Sequence, residues 1–290
     1  MKSQFPSQTR SRSSRLGVTL VELLVVMAVI GILIGILVPV VGPMVWRASE
    51  HVIHTEQTQL SMQIEAFNNK YGFYPPDFSQ INTPQDFLPY LNKISNNHNE
   101  LGLHPDGSGD TRLERWWNEV GVNITPATAL PFWLSGLRSS SQYPLTHPDT
   151  GVPAVAYSVD GGATGEREVF FDFKADRLLI VGNVAGYGQP KGDRNLPYIY
   201  FSSDYSDVTT SSGSKEFLAT TGELIVPYRE NGTGNYFEQF KFQIISPGLD
   251  NKYGSYQSTT APNWTNVTDI KTHRDNIMSF KGGRLDKDLD

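Results

Sequence analysis

Apolar and polar positions divide this chain into three stretches with different rhythms. From Val18 to Val45 the residues are almost continuously apolar, VTLVELLVVMAVIGILIGILVPVVGPMV. The hydrocarbon core of a bilayer takes roughly 20 helical residues, and a helix that is apolar on every face suits lipid better than water. A deeply buried core helix is the other way to hide such a run. From Trp46 to Tyr71 polar residues return, yet Ile53, Leu60, Ile64, Phe67 and Tyr71 recur at steps of seven, four, three and four. That is the period of a helix with one apolar stripe. Together the two stretches predict a single helix from about Val18 to about Lys70, about 80 Å long at ~1.5 Å per residue. Half of it lies in lipid and half packs its stripe on a folded body, and Gly72, Pro75 and Pro76 end it.

The rest of the chain alternates short apolar runs with Gly, Pro, Asn, Asp and Ser. Leu178–Val181, Tyr198–Phe201, Leu224–Val226 and Phe240–Ile245 read as strands, and Thr128–Leu137 (TALPFWLSGL) as a short helix. Asn92–Gly109 and Ser202–Ser214 read as surface loops. The expected fold class is α+β, a long N-terminal helix, half transmembrane, packed on an antiparallel β-sheet head.

Charge sharpens the picture at one end. The formal net charge of −6 gives no general affinity for nucleic acid. However, Lys2, Arg10, Arg12 and Arg15 precede the apolar run with no acid among residues 1–17, which sets that flank on the cytoplasmic side. The chain has no cysteine. Disulfides, thiolate metal sites, cysteine nucleophiles and a lipidated N-terminal cysteine are therefore excluded, and a loop-rich exported body needs another staple, for which a bound cation is one candidate. No nucleophile elbow, H-E-x-x-H, phosphate-binding glycine loop or dinucleotide fingerprint occurs, so an enzyme is not expected.

The most informative string is Arg15-Leu16-Gly17-Val18-Thr19-Leu20-Val21-Glu22-Leu23-Leu24. It resembles the prepilin-type cleavage and methylation segment shared by type IV pilins and type II secretion pseudopilins, of the major pseudopilin kind. Members carry a short basic leader ending in Gly, then a residue that is usually Phe and is Val18 here, then Thr-Leu-Val-Glu and a long apolar helix. The resemblance implies that a prepilin peptidase cuts between Gly17 and Val18 and that Val18 is then N-methylated. Gly17, without a side chain, suits a protease that takes its substrate extended. A secretory signal would place its small-residue cleavage site after the apolar core. Here the glycine comes before it, and the cut leaves the membrane helix on the product.

A carboxylate inside a bilayer segment costs roughly 2.5–3.5 kcal/mol on insertion scales. The resemblance implies that Glu22 meets the N-terminal amine of a neighbouring subunit during assembly, which offsets part of that cost only when the partner arrives. A glutamate near a helix end that reaches the interface and does nothing is the plainer reading. Pro39, where members often kink the helix, removes one helical hydrogen bond. Gly and Pro are also common in membrane helices for no special purpose.

In the head, Tyr71-Gly72-Phe73-Tyr74-Pro75 resembles the helix end of major pseudopilins, and Ile245-Ser246-Pro247-Gly248-Leu249-Asp250 resembles their strand and Gly-x-Asp loop. In that group the loop binds calcium, which implies a site at Asp250 and Asp275, with Asp269 competing for the second place. Calcium wants six to eight oxygens, and Asp250-Asn251-Lys252-Tyr253-Gly254 reads equally as a hairpin turn. Asp106–Asp110 reads as a solvated turn, His51 and His54 as exposed helix residues, and Trp116, Trp117 and Trp133 as core.

The domains expected are a leader at 1–17, the helix at 18–70, transmembrane to about 45, and a periplasmic α+β head at 71–290. The expected function is a structural subunit of a type II secretion pseudopilus or type IV pilus, a single-pass inner-membrane protein extracted into the filament. Its partners would be prepilin peptidase, like subunits and an inner-membrane assembly platform. The alternative is a signal-anchored envelope protein whose large head binds a ligand or is catalytic.

Overall fold

The computed structural model describes residues 19–151, 153, 167–202, 215–228, 236–238, 240–253, 276–279 and 283–284; for 37–43, 277, 283 and 284 it describes the backbone alone. The chain divides into two compact units, Met1–Arg47 and Ala48–Asp290. Helix α1 (Leu20–Tyr71) spans both.

In the first unit every described side chain from Thr19 to Ile36 is exposed, Leu20, Met27, Ile32 and Ile36 among them. Exposed apolar surface on all sides of a helix is not a water-stable state and calls for lipid or protein cover. Among the described residues no helix is long and apolar enough to cross a membrane. The span read from the sequence includes 37–43, whose side chains lie outside that set.

In the second unit the stripe reappears as a buried face. Ile53, Leu60, Ile64 and Phe67 are fully buried, and Tyr71 packs at the edge of the same cluster. Gly72 stops α1: its φ is +77°, and its N–H bonds the carbonyl of Asn68 at 2.7 Å, a left-handed cap that glycine adopts without steric cost.

The head supplies the opposing surface. Helices α2 (Pro84–Ile94) and α3 (Arg112–Glu119) each start on a capping box, Thr83 with Asp86 and Thr111 with Glu114. Helix α4 (Ala129–Ser135) is buried throughout, as suits the apolar run that predicted it. Strands β1 (Leu178–Val181) and β2 (Val184–Tyr187) form an antiparallel hairpin. β3 (Ile199–Ser202), β6 (Phe242–Ser246), β7 (Ile277–Met278) and β8 (Gly283–Arg284) make a four-stranded antiparallel sheet in the order β3-β6-β7-β8. β4 (Phe217–Leu218) pairs with β5 (Leu224–Ile225). Ile199 sits opposite Ile245 and Ser202 opposite Phe242.

The fold is thus α+β with antiparallel strands throughout the described residues. Two expectations shift. Asn92–Ile94 close α2 rather than open a loop, and Phe240 and Lys241 form a turn before β6. Most of Ser202–Ser214 lies outside the described residues.

One core cluster joins the α1 stripe to Phe87, Trp116, Trp133, Tyr198, Tyr200 and Ile244. Its rings meet edge-on, tilted or stacked, arrangements that aromatic quadrupoles allow: Phe67 and Trp133 lie 5.5 Å apart at 71°, whereas Phe87 and Trp116 stack at 5.0 Å and 25°. Trp116, Trp117 and Trp133 are buried, so they pack the core rather than line a ligand surface. A second cluster gathers Ile199, Phe201, Ile245, Tyr253 and Met278 on the other face of the sheet, as period-two alternation requires.

Glu56 ties α1 to this body by charge. Arg177 donates from Nη1 to its Oε2 at 2.9 Å, and Tyr198 donates to Oε2 at 2.9 Å. Arg177 also bonds the Tyr187 hydroxyl. Burial first, then the charge of Glu56, pushes the Tyr198 phenol well up. The part-buried carboxylate on α1 is thus paired only when Arg177, just before β1, and residue 198 are in place.

Candidate functional site

The segment singled out by sequence begins, among the described residues, at Thr19. Thr19 is the last residue before α1, so its N–H and those of the first turn have no helical acceptor. Glu22 fills that gap. Its Oε2 accepts from the Thr19 N–H at 2.8 Å and from the Thr19 hydroxyl at 2.9 Å. In return the Glu22 N–H donates to Thr19 Oγ1 at 3.3 Å. The Leu23 N–H closes the first turn on the Thr19 carbonyl at 3.2 Å. This is a capping box, a hydroxyl and a carboxylate three residues apart satisfying each other's backbone donors.

The resemblance implies that Glu22 is a carboxylate waiting for an intermolecular partner. The structure adds a partner within the chain. The signal was present in Thr19-Leu20-Val21-Glu22, which is the T-x-x-E spacing of such a box. Chemically, the box holds one exposed carboxylate at the positive end of a long helix, where the helix dipole favours negative charge. A cationic group brought beside it would share Oε2 with Thr19 or take the other oxygen.

The remaining candidates separate. Gly17 and Val18 lie outside the described residues, so the cleavage position has no geometry here. Pro39 lies inside α1, and its side chain is outside the described set. Asp250 is exposed and occupied by a turn: its Oδ1 accepts from the Lys252 N–H at 2.9 Å, and that N–H also reaches the Pro247 carbonyl at 3.2 Å. Asn251 completes the turn at φ +62°. Asp275 and Asp269 lie outside the described residues, and among those described no group of three or more His, Asp or Glu is placed to hold a metal ion. The residues in view do not assemble a calcium set. Asp106 caps its own loop, accepting from the Ser108 N–H at 2.9 Å. That bond chiefly holds its carboxyl down at about 2.

Among the described residues of the head, cavities offer further places where chemistry could be hosted. A polar cleft of about 530 Å³ is bounded by Asn68, Tyr74, Asp86, Tyr90 and Lys93. An apolar one of about 280 Å³ lies between Leu179 and Val181 of β1 and Phe217 and Leu218 of β4.

Against known proteins, the segment with the capping box is the one that matches. Residues 12–38 fit the family model described as the prokaryotic N-terminal methylation motif. No curated protein and no solved structure matches the chain. The match supports a type IV pilin-like start to this chain, with a motif of the kind that is cleaved and methylated.

Proposed function

We propose that this chain is a structural subunit of a type II secretion pseudopilus or a type IV pilus. The observation that carries the reading is the methylation motif at residues 12–38, which covers the start of α1, where every described side chain from Leu20 to Ile36 is exposed. A helix of that kind needs lipid before assembly and like helices after it. In this account prepilin peptidase cuts between Gly17 and Val18 and Val18 is N-methylated. Residues 18–45 hold the subunit in the bacterial inner membrane, with the head in the periplasm. Glu22 then receives the amine of a neighbouring subunit, and an inner-membrane platform adds subunits to the fibre. The role is structural rather than enzymatic.

The test is assembly itself. The full chain, produced with prepilin peptidase and an assembly platform, should yield filaments that can be sheared from the cell. Membrane-bound monomer alone under those conditions would count against the reading. Calcium at Asp250 and Asp275 rests on the sequence resemblance; calorimetric titration of the full chain with calcium, before and after a chelator, decides it, and no heat and no shift in Tm would remove it.

A second reading keeps one observation in its favour. The polar cleft of about 530 Å³ falls within the size range of ligand pockets. It fits a signal-anchored envelope protein whose head binds a small molecule, and an uncut leader would favour that reading.

A further inference from the structure

Where α1 gives way to the head, four consecutive residues are each fixed by a distant element. The Tyr200 hydroxyl on β3 donates to the Pro75 carbonyl at 2.8 Å. The indole N–H of Trp133 on α4 donates to the Pro76 carbonyl at 2.9 Å. Asp77 follows, its side chain 3% exposed and paired with a Lys215 side chain 2% exposed. Its Oδ1 accepts from the N–H and hydroxyl of Ser79 at 2.9 and 2.6 Å. Its Oδ2 accepts from the Ser202 N–H at 2.8 Å and from Lys215 Nζ at 2.9 Å. Lys215 Nζ also donates to the Ser202 carbonyl at 3.1 Å. Phe78 then takes φ +63° while buried against Phe87, Trp117 and Trp133. A bulky residue keeps that backbone only when its surroundings over-determine it.

The order of events follows from the chain distances. Asp77 lies six residues beyond the end of α1, but Lys215 is 138 residues further on and Ser202 is the last residue of β3. A buried carboxylate or ammonium left alone is strongly unfavourable. The helix exit is therefore fixed only when β3 has formed and residue 215 has been delivered beside it. We propose that Asp77, Ser202 and Lys215 form a clamp that ties the end of α1 to the head only once β3 and the segment that carries Lys215 are in place. This makes head folding a condition for presenting the helix to the fibre. The consequence for assembly rests on the filament reading; the clamp itself does not.

The experiment uses the full chain in detergent micelles and in cells that assemble it. Lys215→Met and the neutral pair Asp77→Asn/Lys215→Met are compared with wild type by limited proteolysis read by mass spectrometry, by circular dichroism and by sheared filament yield. The double variant leaves no unpaired charge, so it folds even where the single does not. Both are expected to be cut within residues 72–79 at least about tenfold faster, and the double to keep the wild-type spectrum and lose most filament. A double variant cut at the wild-type rate would overturn the clamp. Faster cutting with normal filament yield would overturn the link to assembly. Faster cutting in a system where wild type makes no filament would sink the filament reading and leave the clamp standing.

Discussion

The first unit and the head present opposite kinds of incompleteness. From Thr19 to Ile36 the chain exposes every described side chain, yet it carries the motif that matches a family model. The head buries most of its described aromatic residues and pairs the buried Arg177 with the part-buried Glu56, yet no curated protein and no solved structure matches it. A segment whose surface is satisfied only by other molecules must keep the residues those molecules read, so its role is legible in few positions. A body that satisfies itself can change its residues freely while volume and pairing are kept, so its role leaves little trace in a motif.

Four substitutions break or sharpen this contrast. The largest effect belongs to Glu22→Ala, which should abolish filament formation while the protein remains in the membrane fraction; filaments at the wild-type level would remove Glu22 from assembly. Trp133→Ala is the head's counterpart. It should cost about 3–5 kcal/mol and lower Tm by roughly 10 °C in thermal unfolding, with membrane association unchanged. A drop of a degree or two would mean that the ring cluster does not hold the head.

A pH series probes the buried phenols. Tyr198 and Tyr253 are pushed well up, in each case by burial first and then by nearby carboxylates, Glu56 for one and Glu223 and Asp193 for the other. Unfolded tyrosine ionises near pH 10, whereas the folded phenols stay neutral beyond it. Their contribution to stability is therefore whole below about pH 10 and is lost as pH rises through the folded values. Denaturant midpoints should hold from pH 8 to 10 and fall above, and Tyr198→Phe should flatten that fall. An equal fall in the variant would place the alkaline sensitivity elsewhere. The smallest effect is expected of Thr19→Val, which removes the hydroxyl half of the capping box. Helix starts of this kind lose about 1 kcal/mol, so filament yield should drop a few-fold, against total loss for Glu22→Ala.

Local signals in the sequence proved easy to read and long-range pairings did not. The α1 stripe and its stop at Gly72 follow from periodicity and a glycine cap, and β1 falls on the run that predicted it. Helices α2 and α3 are both short, and α2 carries two prolines among its apolar positions Phe87, Leu88, Leu91 and Ile94, which mask its period. Their starts, Thr83-Pro84-Gln85-Asp86 and Thr111-Arg112-Leu113-Glu114, nevertheless carry capping-box spacing. So does Thr19-Leu20-Val21-Glu22, where the carboxylate to which the resemblance gives an intermolecular role also bonds Thr19. Glu56, Asp77 and Lys215 could not have been found by spacing. Their partners lie 121 and 138 residues away, and nothing in a lone Glu, Asp or Lys marks it for burial.

The central claim is that the N-terminal segment is processed as a prepilin. Mass spectrometry of the N-terminal peptide from membrane-extracted protein tests it directly. The account predicts a chain that begins at Val18 and carries an added methyl group on its amine. A chain that keeps Met1, or one cut beyond Val45, would contradict it.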